Sequence, residues 1–233
     1  MKRFTAIITV ICLMLCLNGC KEEKTKYTDY SFDYFDTATS IVGYETSKEA
    51  FDAVCSEIKP LLKKYHQLYN IYNRYDGINN LCTINDLNDG VHNTVKVDRE
   101  IIELLAYAKE IYQMTEGRTN VAMGSVLSIW HQYRTDGINN PEDAQLPPMD
   151  KLKAAAEHTD IEDMIIDENA NTVYLSDPEM RLDVGAIAKG YAVERIAQYM
   201  EQKGISGYLL NVGGNVRCVG SPAKGRPWTV GIE

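Results

Sequence analysis

The residues best suited to chemistry lie in one short segment, Asp183-Val-Gly-Ala-Ile-Ala-Lys-Gly-Tyr-Ala-Val193. Gly185 permits a tight turn, and the apolar residues after it recur at helical spacing, so the pattern predicts that a helix starts here. The unpaired N–H groups of a first helical turn favour an anion, and Lys189 adds a full positive charge. Asp183 would stand at the edge of this corner, where it can accept hydrogen bonds. The segment therefore suits a ligand that carries phosphate.

A purely structural interpretation explains the same residues. Asp183 could cap the helix and Lys189 could belong to a solvated face, because helices often start with Asp and Gly. Two well-known phosphate loops are excluded by the sequence. Gly190 is followed by Tyr191, which rules out G-x-x-x-x-G-K-[ST], and no G-x-G-x-x-G stands between a strand and a helix. Spacing alone leaves the functional and structural interpretations both open.

Four further segments accompany this one in a fixed order along the chain. They are Tyr75-Asp-Gly-Ile-Asn-Asn-Leu-Cys-Thr-Ile-Asn85, Gly117-Arg-Thr-Asn-Val-Ala-Met-Gly-Ser-Val-Leu-Ser-Ile-Trp130, Asn211-Val-Gly-Gly-Asn215 and Trp228-Thr-Val-Gly-Ile232. Together the five resemble successive motifs of the ApbE family, the FAD:protein FMN transferases, over roughly residues 31 to 233. Five motifs in order are far more specific than any one of them.

The resemblance implies a set of site residues. It places Tyr75 against the flavin nucleotide, Asp183 and Lys189 in contact with FAD, and the backbone carbonyl of Ala186 as a ligand to Mg²⁺, a cation that takes oxygen donors. Phe35, with Asp36 and Thr37, falls where many members have Met-Gly-Thr against the cofactor. The alternatives are that Tyr75 merely packs against the body of the protein and that Phe35 is a core residue of a strand.

Arg118, Thr119 and Asn120 correspond to the family segment that lines the FAD site. The family commonly has Asp where Asn120 stands. This departure removes a charge but keeps a hydrogen-bonding side chain of similar shape, so binding is better preserved than a role that needs a carboxylate. The histidines have no spacing suited to a metal, and we expect each to be exposed or half-buried: His66, His92, His131 and His158.

The reaction implied by the resemblance is a phosphoryl-type transfer. A threonine hydroxyl on a target flavoprotein attacks the FMN-side phosphorus of FAD, AMP leaves, and FMN stays attached through a phosphoester. Mg²⁺ would offset the charge that builds up on the leaving group. The sequence identifies no general base. Two rival functions use the same pocket: an Mg²⁺-dependent FAD pyrophosphatase with water as nucleophile, and a non-catalytic lipoprotein that binds flavin.

The N-terminus indicates an anchored, extracytoplasmic protein. Lys2 and Arg3 precede an apolar run over residues 4–17, too short to span a bilayer as a helix, and Leu17-Asn-Gly-Cys20 follows at once. We therefore expect a lipoprotein signal at 1–19, acylation of Cys20, and attachment to the outer face of the cell membrane through lipid. The charged residues 20–30 are predicted to form a tether. An ordinary secretory peptide or a short membrane anchor is the alternative.

Composition supports one acidic domain of enzyme size. The hydrophobic fraction is 45% and the formal net charge is −9, which argues against binding to nucleic acid or to anionic lipid by charge. Cys55, Cys82 and Cys218 lie beyond the lipidation site, and their odd number without C-x-x-C spacing indicates neither a disulfide framework nor a zinc site. The expected partner is an extracytoplasmic flavoprotein that bears the target threonine.

Hydrophobic periodicity predicts an α+β fold, because strands and helices are grouped rather than alternating. The resemblance implies that this fold is of the ApbE-like (T-fold-like) kind, with a mainly antiparallel sheet. The resemblance also implies that the family pattern continues past Glu233, with a His-containing Ile-Asp-Pro segment and an Asp/Thr motif that completes the magnesium site. We therefore expect the domain at 31–233 to be incomplete at its C-terminus. The predicted elements are strands at 32–44, 208–211, 215–219 and 228–232, a hairpin at 164–175, and helices at 46–69, 98–114, 123–133 and 185–203.

Overall fold

The computed structural model describes residues 23–88, 93–222 and 226–231. The predicted signal segment 1–19 and the predicted lipidation site Cys20 lie outside the described residues. The described chain combines helices with antiparallel sheets, so the predicted α+β class is confirmed. Its elements are β1 (Thr25–Tyr34), β2 (Thr37–Glu45), α1 (Lys48–Leu68), α2 (Leu81–Leu87), β3 (Val95–Lys96), α3 (Arg99–Met114), α4 (Gly124–Asn139), α5 (Met149–Ala156), β4 (Met164–Asp167), β5 (Thr172–Leu175), α6 (Ala188–Gln202), β6 (Tyr208–Val212) and β7 (Asn215–Val219).

Two antiparallel sheets organise the protein. The larger one has the order β1-β2-β6-β7, and the smaller one has the order β3-β5-β4. In the larger sheet β2 pairs with β6, with Thr39 opposite Val212. This pairing brings the turn between β1 and β2 to the same end of the sheet as the turn between β6 and β7. The smaller sheet contains the hairpin predicted at 164–175, which is confirmed.

Helices α1 and α6 pack against each other and against one face of the larger sheet. Phe51 of α1 stacks on Tyr208 of β6, with ring centroids 6.1 Å apart and planes 1° from parallel. Ile58 of α1 and Ile196 of α6 are fully buried in the same core. Burying one such side chain contributes about 1.5–3 kcal/mol. This packing fixes the C-terminal end of α1 and the start of α6 relative to the sheet.

Two details of α1 differ from what its local sequence favours, a cap at Thr46 and a break at Pro60. Its N-cap is Ser47 rather than Thr46, and the Ser47 side chain accepts a hydrogen bond from the amide of Ala50 at 3.2 Å. The helix also continues through Pro60 to Leu68. Proline removes one backbone hydrogen bond of a helix, but the buried apolar face of α1 continues on both sides of it and holds the helix together.

The N-terminal strand region is longer than predicted and is folded back on itself. Strand β1 begins at Thr25, so the structure differs from the predicted tether 20–30 from that residue onward. The Thr and Tyr residues of this segment favour an extended strand, and its charges are tolerated because β1 lies at the edge of the sheet. The single strand predicted at 32–44 is instead two strands, with Phe35 and Asp36 at the turn between them.

Three other boundaries differ. Helix α6 begins at Ala188, so Gly185 and Ala186 lie in the turn before it rather than in its first turn. Helix α4 runs to Asn139, beyond the predicted end at residue 133. Within the described part of the predicted strand 228–232, residues 228–231 form no strand, although the Trp228 ring contacts the Tyr44 ring edge-on.

Candidate functional site

The site lies where the two hairpin turns of the larger sheet meet. The amide of Gly213, in the β6–β7 turn, donates to the carbonyl of Ala38 at 2.9 Å. Gly213 and Gly214 have φ of 56° and 87°. A Cβ at Gly213 would lie 2.6 Å from the Thr37 hydroxyl oxygen. Only glycine allows both this backbone conformation and this close approach to the β1–β2 turn.

The β1–β2 turn has the same length but a very different composition. Tyr34 pairs with Thr37, so Phe35 and Asp36 form a two-residue turn, and their φ values are 55° and 50°. Two consecutive positive φ values are typical of a type I′ turn, which is normally made by Asn-Gly. A non-glycine residue in this conformation costs about 1–2 kcal/mol. The turn is therefore strained, and both of its residues line the pocket described next.

A pocket of about 220 Å³ opens between this turn, the end of α1 and the start of α6. A second pocket of about 300 Å³ adjoins it and shares Ile71, Tyr72, His131 and Asp183. A larger pocket of about 450 Å³ lies on the sheet beside Trp228 and contains none of the predicted site residues, so we assign the site to the first two. The first pocket is lined by Phe35, Asp36, His66, Tyr69, Asn70, Ile71, Tyr72, His131, Asp183, Val184, Gly185, Ala188 and Lys189.

Asp183 is held by its backbone and by its side chain. Its amide donates to the carbonyl of Val121 at 2.7 Å, and its Oδ1 accepts a hydrogen bond from the amide of Gly185 at 2.8 Å. Its side chain is only 10% exposed, and Oδ2 lies 3.6 Å from His131 Nε2. The same Nε2 is 3.0 Å from the Tyr72 hydroxyl. The carboxylate therefore faces the pocket with one oxygen oriented by the turn and the other beside an imidazole.

The start of α6 leaves backbone groups unpaired near Asp183. The amides of Ala188 and Tyr191 bond to the carbonyls of Val184 and Ile187. Among the described residues, no backbone hydrogen bond joins the Lys189 amide to the Gly185 carbonyl or the Gly190 amide to the Ala186 carbonyl. Free amides of this kind favour an anion. A free carbonyl on the exposed residue Ala186 is available to a cation.

A chain of hydrogen bonds runs from the end of α1 to the strained turn. Asn70 is buried, and its Oδ1 accepts from the amides of Tyr72 and Asn73 at 2.8 and 2.7 Å. Its Nδ2 donates to the Tyr75 hydroxyl at 3.2 Å, which is also 3.2 Å from His66 Nε2. His66 Nδ1 in turn accepts from the amide of Phe35 at 2.9 Å.

The negative charge at the pocket acts on both neighbouring tyrosines. Burial, and then the charge of Asp183, raise the pKa of Tyr72. Burial, and then the charge of Asp36, raise the pKa of Tyr75. Both hydroxyls therefore remain protonated at neutral pH and act as hydrogen-bonding groups rather than as bases.

The structure brings together only part of the predicted set. Phe35, Asp183 and Lys189 line one pocket, Ala186 lies in the turn beside them, and Tyr75 contacts the pocket residue His66.

Arg118, Thr119 and Asn120 line neither of the two pockets. The Asn120 side chain instead donates to the Thr159 carbonyl at 2.8 Å and accepts from the Ala122 amide at 2.9 Å. This arrangement supports the segment whose residue Val121 pairs with Asp183.

Sequence reasoning missed several residues at the pocket, among them His66, Asn70, Tyr72 and His131. Asn70 and Tyr72 stand just before the motif that begins at Tyr75, and this proximity was the one available signal. His66 and His131 carry no local signal, because their partners Phe35 and Asp183 are 31 and 52 residues away along the chain.

Within the described residues, no group of three or more His, Cys, Asp or Glu side chains could hold a metal ion. The free carbonyl of Ala186 and the carboxylate of Asp183 therefore do not by themselves complete a magnesium site. The same part of the chain has no helix that is both long and apolar enough to cross a membrane.

Comparisons with known proteins agree on one family. The model of the ApbE family matches residues 33–233. A protein named FAD:protein FMN transferase from Haemophilus influenzae is 25% identical over 243 residues, covering 100% of this chain and 66% of its own length. One of the same name from Klebsiella pneumoniae is 30% identical over 183 residues, covering 78% and 52%. The chain thus spans between about half and two thirds of these relatives.

Solved structures show the same fold. The structure titled flavin transferase ApbE from Vibrio cholerae, H257G mutant, superposes with a TM-score of 0.72 at 24% identity, over 91% of this chain and 68% of that one. The ApbE protein from Thermotoga maritima superposes with a TM-score of 0.73 at 24% identity, over 90% and 63%. The predicted ApbE-like fold is therefore confirmed.

Proposed function

The chain belongs to the ApbE family, and from that premise we propose that it is a flavin transferase that moves FMN from FAD onto a threonine of a target flavoprotein. The relatives named FAD:protein FMN transferase support the reaction class. The observation that carries the proposal is the corner at the start of α6, where Asp183 and Lys189 line one pocket and two backbone amides, those of Lys189 and Gly190, are free.

The roles of these groups follow from their chemistry. The free amides of Lys189 and Gly190 and the ammonium group of Lys189 bind the pyrophosphate of FAD, because all three favour negative charge. The Asp183 carboxylate is an acceptor and binds hydroxyl or N–H groups of the flavin or ribose. Tyr72 and Tyr75 keep their protons and supply aromatic surface and hydroxyl groups. The contacts of Arg118, Thr119 and Asn120 with FAD stay a prediction. Asn120 acts indirectly in this proposal, through the segment in which the Val121 carbonyl accepts a hydrogen bond from the amide of Asp183.

In the proposed reaction, the threonine oxygen forms a bond to the FMN-side phosphorus of FAD. The bond from this phosphorus to the bridging oxygen breaks, and AMP leaves with that oxygen. The hydroxyl proton is released, and the product is FMN joined to threonine by a phosphoester. Fixed positive groups at the pyrophosphate accelerate such a transfer by stabilising the charge on the departing AMP.

We also propose, on the family resemblance, that the reaction depends on Mg²⁺ and that the Ala186 carbonyl is one of its ligands. The unpaired state of this carbonyl supports the assignment. Mg²⁺ requires near-octahedral oxygen donors, which the described residues do not complete. We therefore derive no step through the metal.

The membrane location is likewise a proposal. The sequence Leu17-Asn-Gly-Cys20 after an apolar run supports lipidation of Cys20 and an acceptor on the extracytoplasmic side. Cells that express Cys20→Ser should yield protein that takes up no radioactive palmitate and leaves the membrane fraction. Labelling of the variant at the level of the unchanged protein would contradict the anchor.

The products test the function. We would incubate the full-length protein with FAD, Mg²⁺ and a flavoprotein acceptor, image the acceptor on a denaturing gel by flavin fluorescence, and measure AMP. Fluorescent acceptor and AMP in equal amounts are expected, and both should fall with Asp183→Ala. Free FMN with AMP would indicate a pyrophosphatase instead. FAD binding without AMP would indicate a flavin-binding protein that catalyses no transfer.

A further inference from the structure

His66 has no role in the flavin chemistry proposed above, yet both of its ring nitrogens are engaged. Nδ1 accepts the amide proton of Phe35 at 2.9 Å, so Nδ1 carries no hydrogen. In the neutral ring the hydrogen is then on Nε2, which faces the Tyr75 hydroxyl oxygen at 3.2 Å. The ring is thereby fixed in one tautomer and one orientation.

The orientation is set from the opposite end of the hydrogen-bond chain. Asn70 cannot exchange the places of its amide oxygen and nitrogen, because Oδ1 already accepts two backbone N–H groups. Its Nδ2 must donate to the Tyr75 hydroxyl. The carbonyl of Asn70 accepts from the amide of Cys82 at 2.9 Å, which ties the arrangement to α2. Rigid elements thus determine where His66 Nδ1 points.

Nδ1 points at the most strained backbone in the site. Phe35 and Asp36 are consecutive non-glycine residues with positive φ, and an outlier of this kind at a bulky residue such as Phe35 persists only when its surroundings hold it. The edge of the Phe35 ring also meets the His66 ring, with centroids 5.7 Å apart and planes at 82°.

We propose that His66 is a positioning residue, which holds the strained Phe35–Asp36 turn against the pocket through the bond from the Phe35 amide to Nδ1. The inference rests on the proposed function in one respect, that FAD is the ligand of this pocket. Without the bond, the turn relaxes away from positive φ, and the ring of Phe35 and the carboxylate of Asp36 leave the pocket wall. Asp36 then moves away from Tyr75, whose pKa is raised by burial and then by the charge of Asp36.

The test uses two substitutions that differ in which nitrogen of His66 they replace. The amide of asparagine reaches about the position of Nδ1 and offers an acceptor there, whereas the amide of glutamine reaches about the position of Nε2. We expect His66→Gln to speed hydrogen exchange of the Phe35 amide at least tenfold in the FAD-free protein. FAD affinity, measured by fluorescence titration, should fall by about tenfold. His66→Asn should restore most of both.

A double variant separates turn strain from loss of folding. Asp36→Gly removes the strain at the second turn position, so His66→Gln with Asp36→Gly should bind FAD more tightly than His66→Gln alone. His158→Gln, which lies outside the pocket, is the matched histidine control and should change neither measurement. A His66→Gln protein that fails to fold, while the double variant folds and binds, supports the same conclusion.

The outcomes separate this inference from the proposed function. Equal exchange of the Phe35 amide in the unchanged protein and in His66→Gln overturns the inference. Faster exchange with unaltered FAD affinity also overturns it, because the turn would then have no effect on the pocket. If the unchanged protein binds no FAD, the proposed function fails, while faster exchange in His66→Gln and its recovery in His66→Asn still support the positioning role.

Discussion

Two neighbouring turns of the larger sheet both have positive φ at two consecutive residues, but they use opposite kinds of residue. The β6–β7 turn uses Gly213 and Gly214, which adopt positive φ without steric cost and need no outside support. The β1–β2 turn uses Phe35 and Asp36 in the same region of φ. Its Phe35 amide donates a hydrogen bond to His66 at the end of α1. The glycines of the β6–β7 turn allow close packing, whereas the residues of the β1–β2 turn contribute side chains to the pocket.

This difference shows what each turn contributes to the shape of the pocket. Gly213 lets Thr37 approach the β6–β7 turn closely. Gly190 of α6 lets the start of that helix approach the residue after the turn, since a Cβ at Gly190 would lie 3.2 Å from Asn215 Oδ1. The Phe35–Asp36 turn places an aromatic ring and a carboxylate on the pocket wall. Under the proposed function, the backbone strain is retained because these two side chains line the site.

The largest effect is expected from breaking the glycine turn. Gly213→Ala combines positive φ with a Cβ 2.6 Å from Thr37 Oγ1, so unfolding free energy should fall by about 2–4 kcal/mol. Gly214→Ala has the same backbone problem but no neighbour within 4 Å, and it should cost only about 1–2 kcal/mol. Urea unfolding of both variants measures the difference. Equal losses would mean that close approach to the other turn does not matter.

The second prediction compares the turns with the helix start. Asp183→Ala and Lys189→Ala should each weaken FAD binding by about 1.5–3 kcal/mol, because each removes a charged hydrogen-bonding group. This loss of FAD affinity is at least as large as the loss expected when the Phe35–Asp36 turn no longer donates its hydrogen bond to His66. Fluorescence titration of FAD gives the affinities, with Lys203→Ala at the far end of α6 as the control. Unchanged affinity in both site variants would refute the placement of the ligand.

The third prediction sharpens the contrast by relieving strain. Asp36→Gly should raise the unfolding free energy by about 1 kcal/mol, because glycine adopts positive φ without the cost of a Cβ. Asp33→Gly is the matched control within strand β1, where the same substitution should lower stability by about 0.5–1 kcal/mol. Both are measured by urea unfolding. A loss of stability in Asp36→Gly would show that the Asp36 side chain makes contacts that outweigh its backbone strain.

The smallest effect is expected at a pair that touches neither turn. His158 Nδ1 lies 2.8 Å from Asp177 Oδ2, and this hydrogen bond raises the pKa of His158. The stabilisation is fully present below the ordinary histidine pKa and is lost as pH rises through the folded-state value. The difference in melting temperature between the unchanged protein and His158→Gln should therefore shrink from pH 5 to pH 9. A difference that grows with pH would contradict the assignment.

The sequence was sufficient for the parts of the site that are local in the chain. Asp183 and Lys189 are six residues apart and flank one turn, so periodicity alone indicated that they share a corner. The strands predicted at 208–211 and 215–219 flank Gly213 and Gly214, and adjacent glycines between strand residues are a strong hairpin signal. The α+β class followed from the grouping of strands and helices.

The strained turn could not be predicted, for a physical reason. Phe-Asp has no intrinsic preference for positive φ, so the local sequence at Phe35 and Asp36 favours a continuous strand, which is what we predicted. The conformation arises from tertiary structure, because the acceptor for the Phe35 amide is His66 at the end of a different element. The late start of α6 has a local origin instead, since Asp183 Oδ1 holds the amide of Gly185, two residues further on, in a turn before the helix.

The pairing of β2 with β6 also has a consequence during synthesis of the protein on the ribosome. Thr39 and Val212 are partners, yet about 170 residues separate them. A ribosome that adds about 5–20 residues per second takes about 10 to 35 seconds to cover that distance. During this interval the first hairpin exists without its neighbour, and the hydrogen-bonding edge of β2 is open to other chains. A chaperone that binds extended segments would therefore be most useful to this protein before β6 and β7 emerge.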